Sequence, residues 1–249
     1  MTSSPPSQQP DHPRRRVLAA VGLLIAGCAG NPNRISPPEQ PLRAATVRSG
    51  ERWRYQRINR FNNEPLGEIL AEVIQVQPQV IVQLTDQAGQ DWGREIYSAP
   101  WQIIQEPFYN QTLRFAEPVP LLPPLPTGSQ PGSTRTSYQI DSGNRARPWT
   151  ARLETRGWER ISVPAGQYDC LRVERTIYFQ PEQASRFDAR RVETLWYAPA
   201  VNRWVKRDWT GFYLDETTLS DRRTALPLED REDSVSWILL EHQPAPIAG

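Results

Sequence analysis

The sequence predicts an all-β domain built as an antiparallel meander, on three observations. Short runs of alternating apolar and polar residues recur along the chain, as half-buried strands require. Turn residues separate these runs, among them Val163-Pro164-Ala165-Gly166, where Pro164 presets φ and Gly166 can take a left-handed conformation. Nine tryptophans accompany 25 prolines, about twice the usual share of proline, a pairing that suits strands punctuated by turns.

In chain order, residues 51–61 place Trp53 and Tyr55 on one face among arginines, and Asn62-Asn63-Glu64-Pro65 follows as a turn. Residues 66–76 and 79–85 form a pair in which Val80, Val82 and Leu84 alternate with Gln79 and Gln83; residues 86–90 are a hairpin loop. Strands are expected at 92–98, 101–108 and 112–115. Residues 117–131 (EPVPLLPPLPTGSQP) break the pattern, because prolines remove backbone donors and fix φ; they read as a Pro-rich internal loop whose Leu121, Leu122 and Leu125 cover one end of the sheet. Strands resume at 132–141 and 150–162, with Asp141-Ser142-Gly143-Asn144 as a turn. After the 163–166 hairpin, Leu171, Val173, Ile177 and Phe179 lie on one face, and Arg172, Glu174 and Thr176 on the other. Residues 180–188 read as a polar loop, 190–197 and 203–214 as a second hairpin, 229–233 as a solvated turn and 234–241 as the last strand.

Ahead of this domain stands a different kind of segment. Arg14, Arg15 and Arg16 precede an apolar run over 17–26, and Ile25-Ala26-Gly27 ends on Cys28, the layout of a secretory signal. The run is about half the 20 or so residues needed to span a bilayer. Leu24-Ile25-Ala26-Gly27-Cys28 resembles the lipobox of bacterial lipoproteins. That resemblance implies cleavage of residues 1–27, thioether lipidation of Cys28 and usually a further acyl group, a palmitate for example, on its amine. Two or three acyl chains hold a protein stably on a leaflet, where one gives only marginal binding. Pro13-Arg14-Arg15-Arg16-Val17-Leu18 also resembles a twin-arginine export signal, with Sec export the alternative. By resemblance to enterobacterial sorting, Ala29 in place of aspartate points to the periplasmic face of the outer membrane. Residues 28–46 are polar and Pro-rich and read as a flexible tether, able to extend about 60 Å, or as a first segment packed on the domain. Residues 47–249 are expected to be a single β-rich domain.

The domain offers little for chemistry. His12 falls in the cleaved segment and His242 near the terminus, so the mature chain has no histidine pair for a zinc site or a hydrolase triad. Glu174, Glu193 and Asp208 could converge in a sheet, yet pairing with neighbouring arginines on surface strand positions explains them more simply. The reading is therefore not an enzyme, with no catalytic residues, metal or cofactor. A formal net charge of +1 gives no electrostatic reason to expect nucleic acid. Cys170 has no partner once Cys28 is lipidated, and reads as a buried strand thiol.

Two stretches carry a family resemblance. Gly157-Trp158-Glu159-Arg160-Ile161-Ser162-Val163-Pro164-Ala165-Gly166-Gln167-Tyr168-Asp169-Cys170, then Leu195-Trp196-Tyr197-Ala198-Pro199 and Trp204-Val205-Lys206-Arg207, resemble domain-of-unknown-function family 3108, exported proteobacterial proteins. Asn202 stands where that pattern has glycine, a swap a left-handed position tolerates. The resemblance implies a strongly curved antiparallel sheet, half-barrel or barrel-like, and brings no activity with it. On such a sheet Trp158, Trp196, Trp204 and Trp209 are the candidate ligand-binding residues. The expected function is an outer-membrane-anchored, non-catalytic binding or carrier module for a hydrophobic or envelope ligand; the alternative is a structural lipoprotein docking an envelope protein partner.

Overall fold

The computed structural model describes residues 32–39, 42, 45–109, 111–123, 132–140, 143, 145–183, 185–215 and 230–246. The signal segment, Cys28 and Ala29 lie outside these residues, as do Leu125 and most of the expected 141–144 turn. Asn33–Gly249 forms one compact unit.

Thirteen strands are present among the described residues: β1 (Arg34–Ile35), β2 (Arg52–Asn59), β3 (Pro65–Gln75), β4 (Val80–Asp86), β5 (Asp91–Ala99), β6 (Gln102–Phe108) and β7 (Gln111–Pro120) in the first half. The second half supplies β8 (Gly132–Ile140), β9 (Arg147–Val163), β10 (Gly166–Phe179), β11 (Arg186–Ala198), β12 (Arg203–Asp215) and β13 (Asp230–Gln243). Each of β2 to β12 pairs antiparallel with its successor, and β13 pairs back onto β2 through Val235↔Asn59, Trp237↔Arg57 and Leu239↔Tyr55. The meander is therefore a closed twelve-stranded barrel, and closure removes the unpaired edges that an open sheet would expose. The expected curved, barrel-like all-β fold is the observed one, and closure goes further than a half-barrel.

β1 is additional. It pairs with the part of β9 that runs past β8, through Arg34↔Glu159 and Ile35↔Trp158. Leu42 and Ala45, also from the expected tether, pack against the core.

The Pro-rich segment needs correction. Glu117, Pro118, Val119 and Pro120 belong to β7, whose ladder with β8 covers only Leu113 to Phe115. On the β6 side Gln102↔Pro120 and Ile103↔Val119 pair, and the register then jumps to Gln105↔Arg114. The prolines are accommodated because this stretch is an edge on one side and a bulge on the other. Val119 and Leu121 are fully buried, as expected of residues covering a sheet end. A second correction concerns 229–233: residues 230–233 open β13 rather than forming a turn. His242, expected near a tail, is in β13, stacked on Trp53 and 3.0 Å from Glu51.

Outside, the wall carries ion pairs, including Arg52–Glu72 at 2.8 Å, Arg54 with Glu68 and Glu241, and Arg156 with Glu154 and Glu174. This is the reverse of the apolar outer band of a membrane-spanning barrel. Inside, alternation sends Ile177, Leu195, Tyr55, Ile69 and Val82 into a continuous core, and Val173 joins Leu153, Trp158 and Leu171 in a smaller cluster. Cys170 is fully buried and burial pushes its thiol up to about 12. The folded protein should therefore leave Cys170 unmodified by an aromatic disulfide reagent at pH 8, and urea should make it reactive. Rapid labelling without denaturant would contradict the burial.

Candidate functional site

The parity that buries Val173 and Ile177 also turns Arg175 inward, and the neighbouring strands do the same to Arg191, Glu193 and Arg207. In register, Arg175 faces Glu193 and Glu193 faces Trp209, while Arg207 faces Trp237 and Trp237 faces Arg57. The result is a charged belt across the lumen. Glu193, 1% exposed, accepts from Arg175 Nη1 at 2.7 Å and Arg207 Nη2 at 3.0 Å and is ion-paired with Arg191, whose Nε lies 2.8 Å away. Glu106, on the far wall, lies 3.8 Å from Arg207.

Burial by itself would raise the Glu193 carboxyl; the charges of Arg207, Arg191 and Arg175 outweigh it and hold Glu193 well below the usual carboxylate range. Glu106 has fewer such partners, and burial pushes it up despite Arg207 and Arg175. Glu193 thus sits in the core and not on the surface position expected for it, whereas Glu174 is on the outer face with Arg156 and Arg172. Glu193 is not brought together with Glu174 or Asp208, which lie on the opposite face of the sheet, level with Thr194.

A second set of groups closes one end of the barrel. The β11–β12 turn, a short 3-10 segment at Pro199–Val201 ended by Asn202 at φ 55°, brings Val201 O to Trp53 Nε1 at 2.8 Å. Tyr55 OH donates to Trp204 O at 2.8 Å, and Arg203 reaches across the lumen to Glu95, which also accepts from Tyr97 OH. The Arg203 guanidinium lies 3.9 Å from the Trp204 ring centroid, with Trp53 and Trp101 at 5.1 and 5.3 Å. At this end an open cavity of about 830 Å³ lies between the 38–46 segment and the β9–β10 hairpin, bordered by Trp158, Tyr168 and Tyr197.

The other end is a mouth. A cavity of about 420 Å³ is lined there by Trp92, Trp209, Trp237 and Tyr109 together with Arg57, Arg191 and Arg207, within the size range of small-molecule sites. Trp209 is fixed by its indole N–H on Asp233 Oδ2 at 2.7 Å and by the Arg191 guanidinium 4.4 Å from its ring. Tyr109, at φ 54° in the β6–β7 turn, reaches over the mouth to within 3.4 Å of Asp233 Oδ1. Gly211 permits this approach, because a Cβ there would come within 2.5 Å of the Tyr109 hydroxyl and 2.7 Å of Asp233 Oδ1.

The four sequence candidates are not one site. Trp209 lines the mouth and Trp158 borders the cavity at the opposite end. Trp204 is fully buried against Arg203. Trp196 is on the outer face, its indole N–H on Glu159 at 2.8 Å and Lys206 4.6 Å from its ring. Arg57, Trp92, Tyr109 and Trp237 were not singled out from sequence, although Trp53, Tyr55 and Arg57 share the alternation of β2. Among the described residues no three His, Cys, Asp or Glu cluster as metal ligands.

Among the described residues, fold and interior define a closed up-and-down barrel with an ion-paired lumen and an aromatic-lined mouth. No family model matches the sequence, so the resemblance to family 3108 has no support of that kind, and no curated protein matches either. Among solved structures, a candidate lipoprotein from Parabacteroides distasonis shares 12% identity over 79% of this chain and 96% of its own, at a TM-score of 0.44. A candidate exported protein with a YmcC-like fold from Bacteroides fragilis shares 13% over 79% and 96%, at 0.45. The hypothetical lipoprotein YmcC from Escherichia coli shares 13% over 79% and 86%, at 0.42.

Proposed function

We propose that this protein is an exported lipoprotein, held by acyl chains on Cys28 at the periplasmic face of the outer membrane, whose barrel is a non-catalytic module binding a small envelope ligand at its mouth. The observation that carries the reading is the mouth cavity of about 420 Å³ with three tryptophans and a tyrosine in its wall. Aromatic rings with a few polar groups are the usual lining of a ligand site. The lumen behind it is filled by the Glu193 belt and by Trp53, Tyr55 and Trp204, which favours a ligand seated in the mouth over an acyl chain threaded through the barrel. Docking of a protein partner through the Pro-rich segment is less favoured, since Val119 and Leu121 face inward and are fully buried.

Two measurements test it. Cells fed a labelled fatty acid should label the wild-type chain and not Cys28→Ser. Native mass spectrometry of the mature protein purified in a neutral detergent should show a discrete adduct, reduced by Trp92→Ala. Trp92 is 37% exposed, so its loss leaves the core intact. A clean mass with no adduct would set the binding reading aside and leave the partner-docking role.

A further inference from the structure

The charges around the mouth are unequally engaged. Of its three arginines, Arg191 and Arg207 are ion-paired with Glu193. Of its acids, Glu95 accepts from Arg203 and Tyr97, Glu232 pairs with Arg186, and Asp233 is held by the indole of Trp209, the Gly211 N–H and the Tyr109 hydroxyl. Arg57 differs: among the described residues no carboxylate lies within ion-pair distance of it. Its one side-chain hydrogen bond, to Leu66 O, is 3.4 Å long. Its guanidinium lies 4.0 Å from the Trp92 ring centroid, and desolvation lowers its pKa. A partly desolvated cation without a counter-charge is unfavourable unless something pairs with it. A guanidinium is a planar fork of N–H donors that can grip a carboxylate or phosphate with two hydrogen bonds.

From this we infer that the mouth takes an anionic small molecule, its carboxylate or phosphate ester paired with Arg57 and its body against Trp92, Trp209 and Trp237. The inference rests on the mouth being the binding site, as proposed above. It adds the charge of the ligand and the residue that reads it. The oxyanion could belong to a lipid or to a sugar, and the two are separated by probes: dodecanoate and dodecyl phosphate against dodecanol, and galacturonate and galactose 1-phosphate against galactose.

The mature lipoprotein in a neutral detergent is titrated with each probe, read by tryptophan fluorescence and by native mass spectrometry. At least one anionic probe should bind about ten-fold or more tightly than its uncharged counterpart, as a charge-assisted hydrogen bond to a desolvated cation would give. Arg57→Gln should abolish that preference, so that charged and uncharged probes bind alike, while the midpoint of thermal unfolding stays near wild type. Arg57→Lys, which keeps the charge and loses the fork, should fall between them. Equal binding of charged and uncharged probes, or an anion preference that survives Arg57→Gln, overturns the inference while leaving the mouth a binding site. Absence of any bound probe and of any co-purified adduct overturns the binding reading itself, and the inference with it.

Discussion

Glu193→Gln should destabilise the barrel by about 3–5 kcal/mol, the usual cost of removing one partner from a buried charge cluster. Three guanidinium groups converge on this carboxylate at 2.7 to 3.0 Å in a site 1% exposed. The amide keeps the shape and one acceptor, and leaves Arg175, Arg191 and Arg207 facing one another without that counter-charge. Urea unfolding at pH 7 reads the effect, and a loss below about 1 kcal/mol would mean that the belt is not the cohesive element its geometry implies. Glu106→Gln is the control. Burial has already pushed that carboxyl upward, so removing its charge should cost far less.

The two carboxyls also give opposite pH dependence. Glu193 titrates lower in the folded state than in the unfolded chain, so its contribution is complete above the ordinary carboxylate range, about pH 4.3 for glutamate, and fades as pH falls through the depressed folded value. Glu106 titrates higher when folded, so stability falls as pH rises from that ordinary value through the raised one. Urea midpoints measured from pH 3 to 8 should therefore show a shallow decline above the carboxylate range that Glu106→Gln removes, and an acid decline that Glu193→Gln flattens.

Alternation with a period of two made the strands legible, because a half-buried strand writes its two faces into adjacent residues. The shared face of Leu171, Val173, Ile177 and Phe179 follows from this alternation alone. The same count places Arg175 on that inward face, against the usual exposure of arginine, and only the convergence of Arg191, Arg207 and Glu193 from neighbouring strands makes its burial tolerable. Such compensation is long-range. So is closure: β13 meets β2 through Trp237↔Arg57, a pairing between chain ends that no turn residue announces. The mouth suffers most from this, since Arg57, Trp92, Tyr109 and Trp209 come from four separate parts of the chain. Trp196 and Trp204 show the converse. Their nearness in sequence suggested one face, whereas the register shift between Trp196 and Tyr197 lets Trp196 stay outside while Trp204 turns into the core.

Trp149→Ala should cost about 3–5 kcal/mol by a different mechanism, the opening of a large cavity. Trp149 is 1% exposed on β9, and its ring meets Phe115 at 5.0 Å, Tyr138 at 5.5 Å, Phe108 at 5.6 Å and Phe179 at 5.8 Å between centroids. These partners come from β6, β7, β8 and β10, so one indole ties together four other strands. Most of its contacts are edge-to-face, an arrangement that contributes beyond buried area alone. Trp149→Phe is the discriminating variant: it gives up part of the ring and also removes an indole N–H that has no acceptor among the described residues, so its cost should be clearly smaller than that of alanine. Phe108 adjoins Tyr109, 4.6 Å away between centroids, so alanine at 149 should also loosen the residue that reaches over the mouth. Urea unfolding together with near-ultraviolet circular dichroism checks both effects. A Trp149→Ala protein with unchanged midpoint and aromatic spectrum would show that this wall is not packed around the indole.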